Sequence, residues 1–218
     1  MLPRLYPIVD TGVCRERHLD PVALLDAFLA GGARLVQLRD KSSSARERVA
    51  LADAAVIRTR AAGARLIVND RADVARLSGA DGVHVGQDDL SVDDVRRVLG
   101  RDAIVGLSTH TTEQIDAAAR TTATYIAVGP IFGTATKDTG YAARGLDLVG
   151  YASRRLRSGQ ARSGRPIVAI GGITLDRVPD VLAAGATSIA VISDLLTEEP
   201  ARRVRDFLDV LERVRPAL

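Results

Sequence analysis

The chain has 218 residues, enough for one large domain, and its hydrophobic residues (46%) are mostly aliphatic because aromatics make up only 3%. Ala, Val, Leu and Ile must therefore fill the core, which suits short buried strands and Ala-rich helices. The net charge of +3 rests on arginines scattered along the chain without an aromatic platform, which excludes a nucleic-acid surface and leaves a solvated face with some pull on anionic phosphates.

A single cysteine, Cys14, excludes an internal disulfide and fits a reducing compartment, where a packing role suits it better than a catalytic one. The opening residues lack a basic-then-apolar leader, and no apolar stretch approaches the length of a membrane span. The expectation is a cytoplasmic protein with neither membrane nor nucleic-acid partner and with its oligomeric state open.

The elements alternate along the chain. A strand over 4–9 leads to a helix near 20–30, opened by Asp20-Pro21 as N-cap and first-turn proline. A strand over 34–39 precedes a helix over 43–62, and a strand over 65–69 precedes one over 71–77. The next strand, 81–85, is followed by a helix over 91–99 that begins at Ser91 with Asp93 and Asp94 in its first turn. Strand 103–107 runs to a helix over 112–120 capped by Thr111. Strands 124–128, 166–170 and 188–192 alternate with helices over 145–158, 175–184 and 200–214.

Glycines at 31, 32, 63, 79, 100 and 185 sit where helices should end. The strands are almost continuously apolar, as in a parallel sheet covered on both sides. Eight strand–helix units in strict order predict an α/β fold, a single (β/α)8 TIM barrel over residues 1–218. No G-x-G-x-x-G opens the first helix, which argues against a dinucleotide-binding sheet.

Active sites of such barrels form at the carboxyl ends of the strands. Arg39 and Lys41 leave the second strand with one parity, and Lys137 lies in the long 130–144 connection. Cations converging there need an anion, such as a phosphate or diphosphate, unless Arg39 and Lys41 simply pair with Asp40 or nearby carboxylates. Asp70 and Asp89 follow adjacent strands and should be close, an oxygen-ligand set suited to Mg²⁺; the alternative makes Asp70, Asp88 or Asp89 a helix cap. Gly171-Gly172 and Ser193 follow the seventh and eighth strands, where barrels commonly hold a phosphate. His84 reads as a hydrogen-bonded barrel residue, His110 as a possible substrate contact, and His18 as a loop residue.

Five blocks in order resemble the thiamine-phosphate synthase family. They are Gln37-Leu38-Arg39-Asp40-Lys41, Asn69-Asp70-Arg71, Gly82 to Asp89, Gly129 to Lys137, and Val168 to Ile173. The resemblance implies condensation of hydroxymethylpyrimidine diphosphate with a thiazole phosphate and release of pyrophosphate. It further implies that Gln37 binds the pyrimidine and that Arg39, Lys41, Asn69 and Lys137 hold the diphosphate. Ser108 would line the reacting centre, and Asp70 and Asp89 would hold Mg²⁺. Thr134, Thr136, Gly172, Ile192 and Ser193 would bind the thiazole phosphate. Arg39, Lys41, Ser108 and Lys137 would carry the catalytic work, with the 130–144 connection closing as a lid. Two other readings stay open: a thiazole tautomerase of the same barrel, using a histidine such as His110, and a non-catalytic barrel that only binds a phospholigand.

Overall fold

The structure, a computed structural model, describes residues 2–133, 142–157 and 164–214. Eight parallel strands run β1 (Leu5–Asp10), β2 (Leu35–Arg39), β3 (Arg65–Asn69), β4 (Gly82–Val85), β5 (Ile104–Thr109), β6 (Tyr125–Val128), β7 (Ile167–Ile170) and β8 (Ser188–Val191). They pair in chain order, and β8 returns to β1, so the barrel is closed. Around it lie α1 (Thr11–Glu16), α2 (Pro21–Ala30), α3 (Ala45–Ala61), α4 (Ala72–Ser78), α5 (Val92–Leu99), α6 (Thr112–Ala119), α7 (Gly145–Arg157), α8 (Val178–Ala183) and α9 (Pro200–Arg213). Every expected strand is present within a residue or two of its predicted ends.

Two helical features differ from expectation. The segment expected as one helix over 175–184 begins as a 3-10 turn, Leu175–Arg177, before α8. The six-residue α1 was not anticipated, because it is too short to carry a periodic apolar pattern. Its start is fixed instead by Asp10, whose carboxylate accepts hydrogen bonds from the backbone N–H of Gly12 (2.9 Å) and Val13 (3.2 Å). The caps read at Asp20, Ser91 and Thr111 all accept backbone hydrogen bonds as expected.

Side chains on a strand alternate between its faces, so a closed barrel divides the core in two. One parity forms the inner cluster, with Tyr6, Ile8, Leu35, Ile67, Tyr125 and Val168 among its members. The other parity, including Val36, Leu66, Val83, Val105 and Ile126, packs outward against the helices together with Phe28 and Phe207. Glycine makes room where the interior is most crowded. A Cβ at Gly106 on β5 would overlap the Tyr125 ring and hydroxyl and crowd His84 Nδ1.

The connection after β6 leaves and returns at one place. Arg144 N–H donates to the Pro130 carbonyl (2.8 Å) and Gly145 N–H to that of Ile131 (2.9 Å). Ile131 and Phe132 also donate to the Ile170 and Gly171 carbonyls, at 2.9 and 3.0 Å. Residues 134–141, including the expected contacts Thr134, Thr136 and Lys137, lie outside the described residues. Among the described residues no helix is long and apolar enough to cross a membrane.

Cys14 is buried in α1. Burial, reinforced by the negative charges of Asp10 and Asp20, pushes its thiol from 9.0 up to about 11. The reactive thiolate at pH 8 should therefore be about 100-fold scarcer in the folded chain than in the unfolded one. A thiol-reactive disulfide reagent should label the native protein at least that much more slowly than protein in denaturant; equal rates would contradict the packing of α1.

Candidate active site

The inward parity of each strand delivers its last residues to one mouth. A cavity of about 240 Å³ opens there, and its walls include Gln37 and Arg39 from β2, Asn69 from β3, His84 from β4 and Ser108 from β5. The loops after β5, β7 and β8 add His110, Gly171, Gly172, Ile192 and Ser193. Three sides of this cavity differ in chemistry.

The first side is ionic. Arg39 Nη1 pairs with Asp10, its register partner on β1, and not with Asp40. Asp40 serves its own turn, where it accepts from Ser42 N–H (3.2 Å) and Ser43 N–H (3.1 Å). Burial pushes the Asp40 carboxyl up, but its hydrogen bonds to Ser43 and Ser42 outweigh that and hold it below the usual range. Arg39 Nε is buried and has no hydrogen-bond partner among the described residues. A guanidinium paired with Asp10 through one nitrogen that also lines the cavity can still bind an anion there.

Lys41 contacts Asp70 at the rim. Asp70 and Asp89 lie side by side, as expected from adjacent strands. Burial first, then the neighbouring Asp70, pushes the Asp89 carboxyl above its ordinary value, against a hydrogen bond from Gly86 N–H (2.8 Å). Neither carboxylate caps a helix: α4 has no side-chain cap, and α5 is capped by Ser91. Asp70 also holds a left-handed backbone, φ +62°. That conformation is tolerable for aspartate but costs energy, and such strain gathers at functional positions.

The second side is the glycine turn after β7. Gly171 (φ +102°) and Gly172 (φ +63°) both occupy conformations that L side chains resist. Arg177 steadies the turn by donating to the Gly172 carbonyl (2.8 Å) while its guanidinium lies 4.5 Å from the centroid of the Phe132 ring. After the neighbouring strand β8, a 3-10 turn begins at Ser193. Asp194 ties the two loops, accepting from Leu175 N–H (3.1 Å) and from Arg203 (2.7 Å).

The third side is a buried polar chain across the barrel. Gln37 Nε2 donates to the Tyr6 hydroxyl (3.0 Å), which bonds the Tyr125 hydroxyl (3.0 Å). Tyr125 bonds His84 Nδ1 (2.9 Å), and His84 Nε2 bonds Ser108 Oγ (2.8 Å). Burial drives both tyrosine hydroxyls well above their ordinary pKa, so they stay neutral.

The mouth thus gathers Gln37, Arg39, Asn69, Ser108, Gly172, Ile192 and Ser193 around the cavity. Lys41, Asp70 and Asp89 stand at its rim, outside the cavity lining. Sequence reasoning missed Asp10, Tyr6, Tyr125, Arg177 and Gly106. Tyr6 and Asp10 could have been found by running the inward parity of β1 to its end; the others depend on contacts between distant strands.

Residues 5–195 match the family described as thiamine monophosphate synthase. The thiamine-phosphate synthase of Roseiflexus castenholzii is 43% identical over 207 residues, covering 94% of this chain and 87% of that protein. The Koribacter versatilis thiamine-phosphate synthase is 43% identical over 214 residues, covering 96% of each. The chain belongs to the thiamine monophosphate synthase family. A solved structure, the thiamine phosphate pyrophosphorylase from Pyrococcus furiosus, superposes with a TM-score of 0.83 at 29% identity, covering 97% of this chain and 96% of that one.

The glycine turn makes a direct prediction. A Cβ at Gly172 would press on the Gly133 carbonyl and Phe132 in a left-handed backbone. Gly172→Ala should destabilise the protein by at least about 1 kcal/mol. In a chain of this size that lowers Tm by roughly 2–4 °C. An unchanged Tm would mean that the turn relaxes without strain.

Proposed function

We propose that this chain is a transferase that joins hydroxymethylpyrimidine diphosphate to a thiazole phosphate, the thiazole with or without a carboxylate, to give thiamine phosphate and pyrophosphate. The single domain over residues 1–218 supplies the whole site. The observation that carries the reading is one cavity lined by a half-buried arginine paired with Asp10 on one side and by a left-handed glycine turn and Ser193 on the other. Two phosphorylated partners fit such a mouth better than one.

Each group has a task in this reading. Gln37 and Ser108 hold the pyrimidine ring. Arg39, Lys41 and Asn69, with Lys137, hold the diphosphate. Arg39 gains most as the methylene–oxygen bond breaks, because the leaving oxygen collects negative charge beside its guanidinium. The pyrimidine methylene becomes cationic and is captured by the thiazole nitrogen. Gly172, Ile192 and Ser193, with Thr134 and Thr136, keep the thiazole phosphate at a fixed distance from that carbon, which removes much of the entropic cost of their encounter.

A magnesium ion suits the rim. Asp70 and Asp89 crowd each other's charge, and a lysine ammonium already touches Asp70. Among the described residues no third His, Cys, Asp or Glu completes a cage. A two-carboxylate site agrees with Mg²⁺, which commonly keeps water and substrate phosphate as its other ligands. When bound, the ion would supply positive charge for the departing pyrophosphate.

Purified protein given both substrates should release thiamine phosphate and pyrophosphate only with a divalent metal. Full activity in excess chelator would remove the metal from this scheme. Thiazole isomerisation without condensation would assign the tautomerase activity instead.

The two anion sites should separate kinetically. Arg39→Ala should lower kcat by roughly 100-fold, as loss of a preorganised donor does. Ser193→Ala should mainly raise KM for the thiazole phosphate, because its partner does not react. Equal KM effects with kcat unchanged in both variants would contradict this division.

A further inference from the structure

Helices on the outside of a barrel normally turn charged residues to solvent. α9 does so: its exposed positions include Arg202, Arg205, Asp209 and Glu212. α3 departs from that rule. Its buried face is Ala52, Ala55, Val56 and Thr59. On the opposite side Ala50, Ala54, Ile57 and Ala61 follow one another in steps of four, three and four residues, the spacing of a seam between two packed helices. Ile57, at the centre of this outer row, is 68% exposed.

The row is flanked without being covered. Arg58 pairs with Asp26 of α2 (3.2 Å), and Arg60 Nη2 donates to the Gly79 carbonyl at the end of α4 (2.8 Å). These contacts hold α2 and α4 to the sides of α3 and leave the ridge between them open. Leu77, in the last turn of α4, adds a second large apolar side chain, 71% exposed.

The charges on the ridge are arranged about Ile57. With 3.6 residues per turn, Asp53 and Arg60 fall about 50° to one side of it, and Ala54 and Ala61 about 50° to the other. Along the axis Asp53 lies about 6 Å before Ile57 and Arg60 about 4.5 Å after it. Among the described residues neither Asp53 nor Arg60 takes part in an ion pair.

We propose that this ridge is a self-complementary interface through which two copies of the chain pair, α3 against α3, antiparallel about a two-fold axis at Ile57. Such an axis keeps each flank facing the same flank and reverses the heights. Ile57 then meets the partner's Ile57. Asp53 comes within about 1.5 Å in height of the partner's Arg60, and the same ion pair forms twice. On the other flank Ala54 faces the partner's Ala61, so small side chains let the two helices approach closely. A parallel pair would set both charges against alanines and leave them unpaired. Burial of the isoleucines and alanines supplies the attraction, and the charges fix the register. This matching of the ridge to itself favours a second copy over an unrelated partner. The last turns of α3 and α4 lie towards the amino ends of the strands, so the cavity mouth stays open in both copies.

Sedimentation of the full chain tests the pairing. At about 100 μM, above the micromolar Kd expected of such a contact, the parent should sediment at twice 23.1 kDa. Ile57→Glu should weaken the dimer by about 30-fold or more while its circular dichroism matches the parent. A monomeric parent at that concentration, or a dimer indifferent to Ile57→Glu, would overturn the proposal.

Two further variants test the register. Asp53→Arg alone and Arg60→Asp alone each bring like charges together twice, so each should dimerise about tenfold more weakly than the parent or worse. Mixed in equal amounts they should pair with each other, because both contacts then join an arginine to an aspartate; recovery on mixing also shows that both are folded. Single variants that dimerise as tightly as the parent, or folded variants that do not recover on mixing, would contradict the antiparallel arrangement. Ile57→Cys provides an independent check, since the other thiol, Cys14, is buried. Under mild oxidation this variant should form a covalent dimer, and a chain that stays monomeric would rule out a two-fold axis at Ile57.

Discussion

Closing eight parallel strands into a barrel forces every second side chain into one enclosed space, and that constraint governs the rest of this molecule. The space must be filled without voids, and any polar group in it must find a partner there. Tyr6, Ile8, Leu35, Ile67 and Val168 meet the first demand. Towards the carboxyl ends the same parity yields Asp10, Arg39, Asn69, His84 and Ser108, which meet the second by bonding across strands or by facing the cavity. Core and site are therefore one continuous stack of side chains with a gradient of polarity along the barrel axis.

Charge at the mouth is handled by sharing. Asp10 serves both as the α1 cap and as the partner of Arg39, so a buried carboxylate 3% exposed is satisfied from two directions. The arrangement fixes the guanidinium, and among the described residues Nε has no hydrogen-bond partner. At the rim the balance runs the other way: Asp70 and Asp89 lie together, with Lys41 in contact with Asp70. The inner pair thus couples a carboxylate to a guanidinium that lines the cavity, and the outer pair brings two carboxylates together.

Much of this was legible in the sequence, and the reason is local. Near-continuous apolar runs, capping residues and glycine stops each act within a few residues, so the strands and their ends could be read with little error. The strand-end rule then placed Gln37, Arg39, Asn69, Ser108, Gly172 and Ser193 at the mouth. Pairings set by barrel closure were not legible. Arg39 was weighed against Asp40, its neighbour in the chain, whereas its partner is Asp10, its neighbour in the sheet. The links through Tyr6 and Tyr125 carried no local signal, because their hydroxyl partners come from strands far away in sequence. Gly106 carried no signal, since its value lies in the rings that occupy its missing volume.

The base of the connection after β6 has a wider consequence. Hydrogen bonds join Pro130 and Ile131 to Arg144 and Gly145, so the chain departs and re-enters through a closed collar fastened to β7. The cost of lengthening a loop grows only slowly when its ends are already held together. Insertions or deletions beyond the collar can therefore accumulate without shifting the register of β6, β7 or α7. Sequence beyond the collar can diversify while the barrel is inherited unchanged, which makes this collar a natural place to graft new segments onto the scaffold.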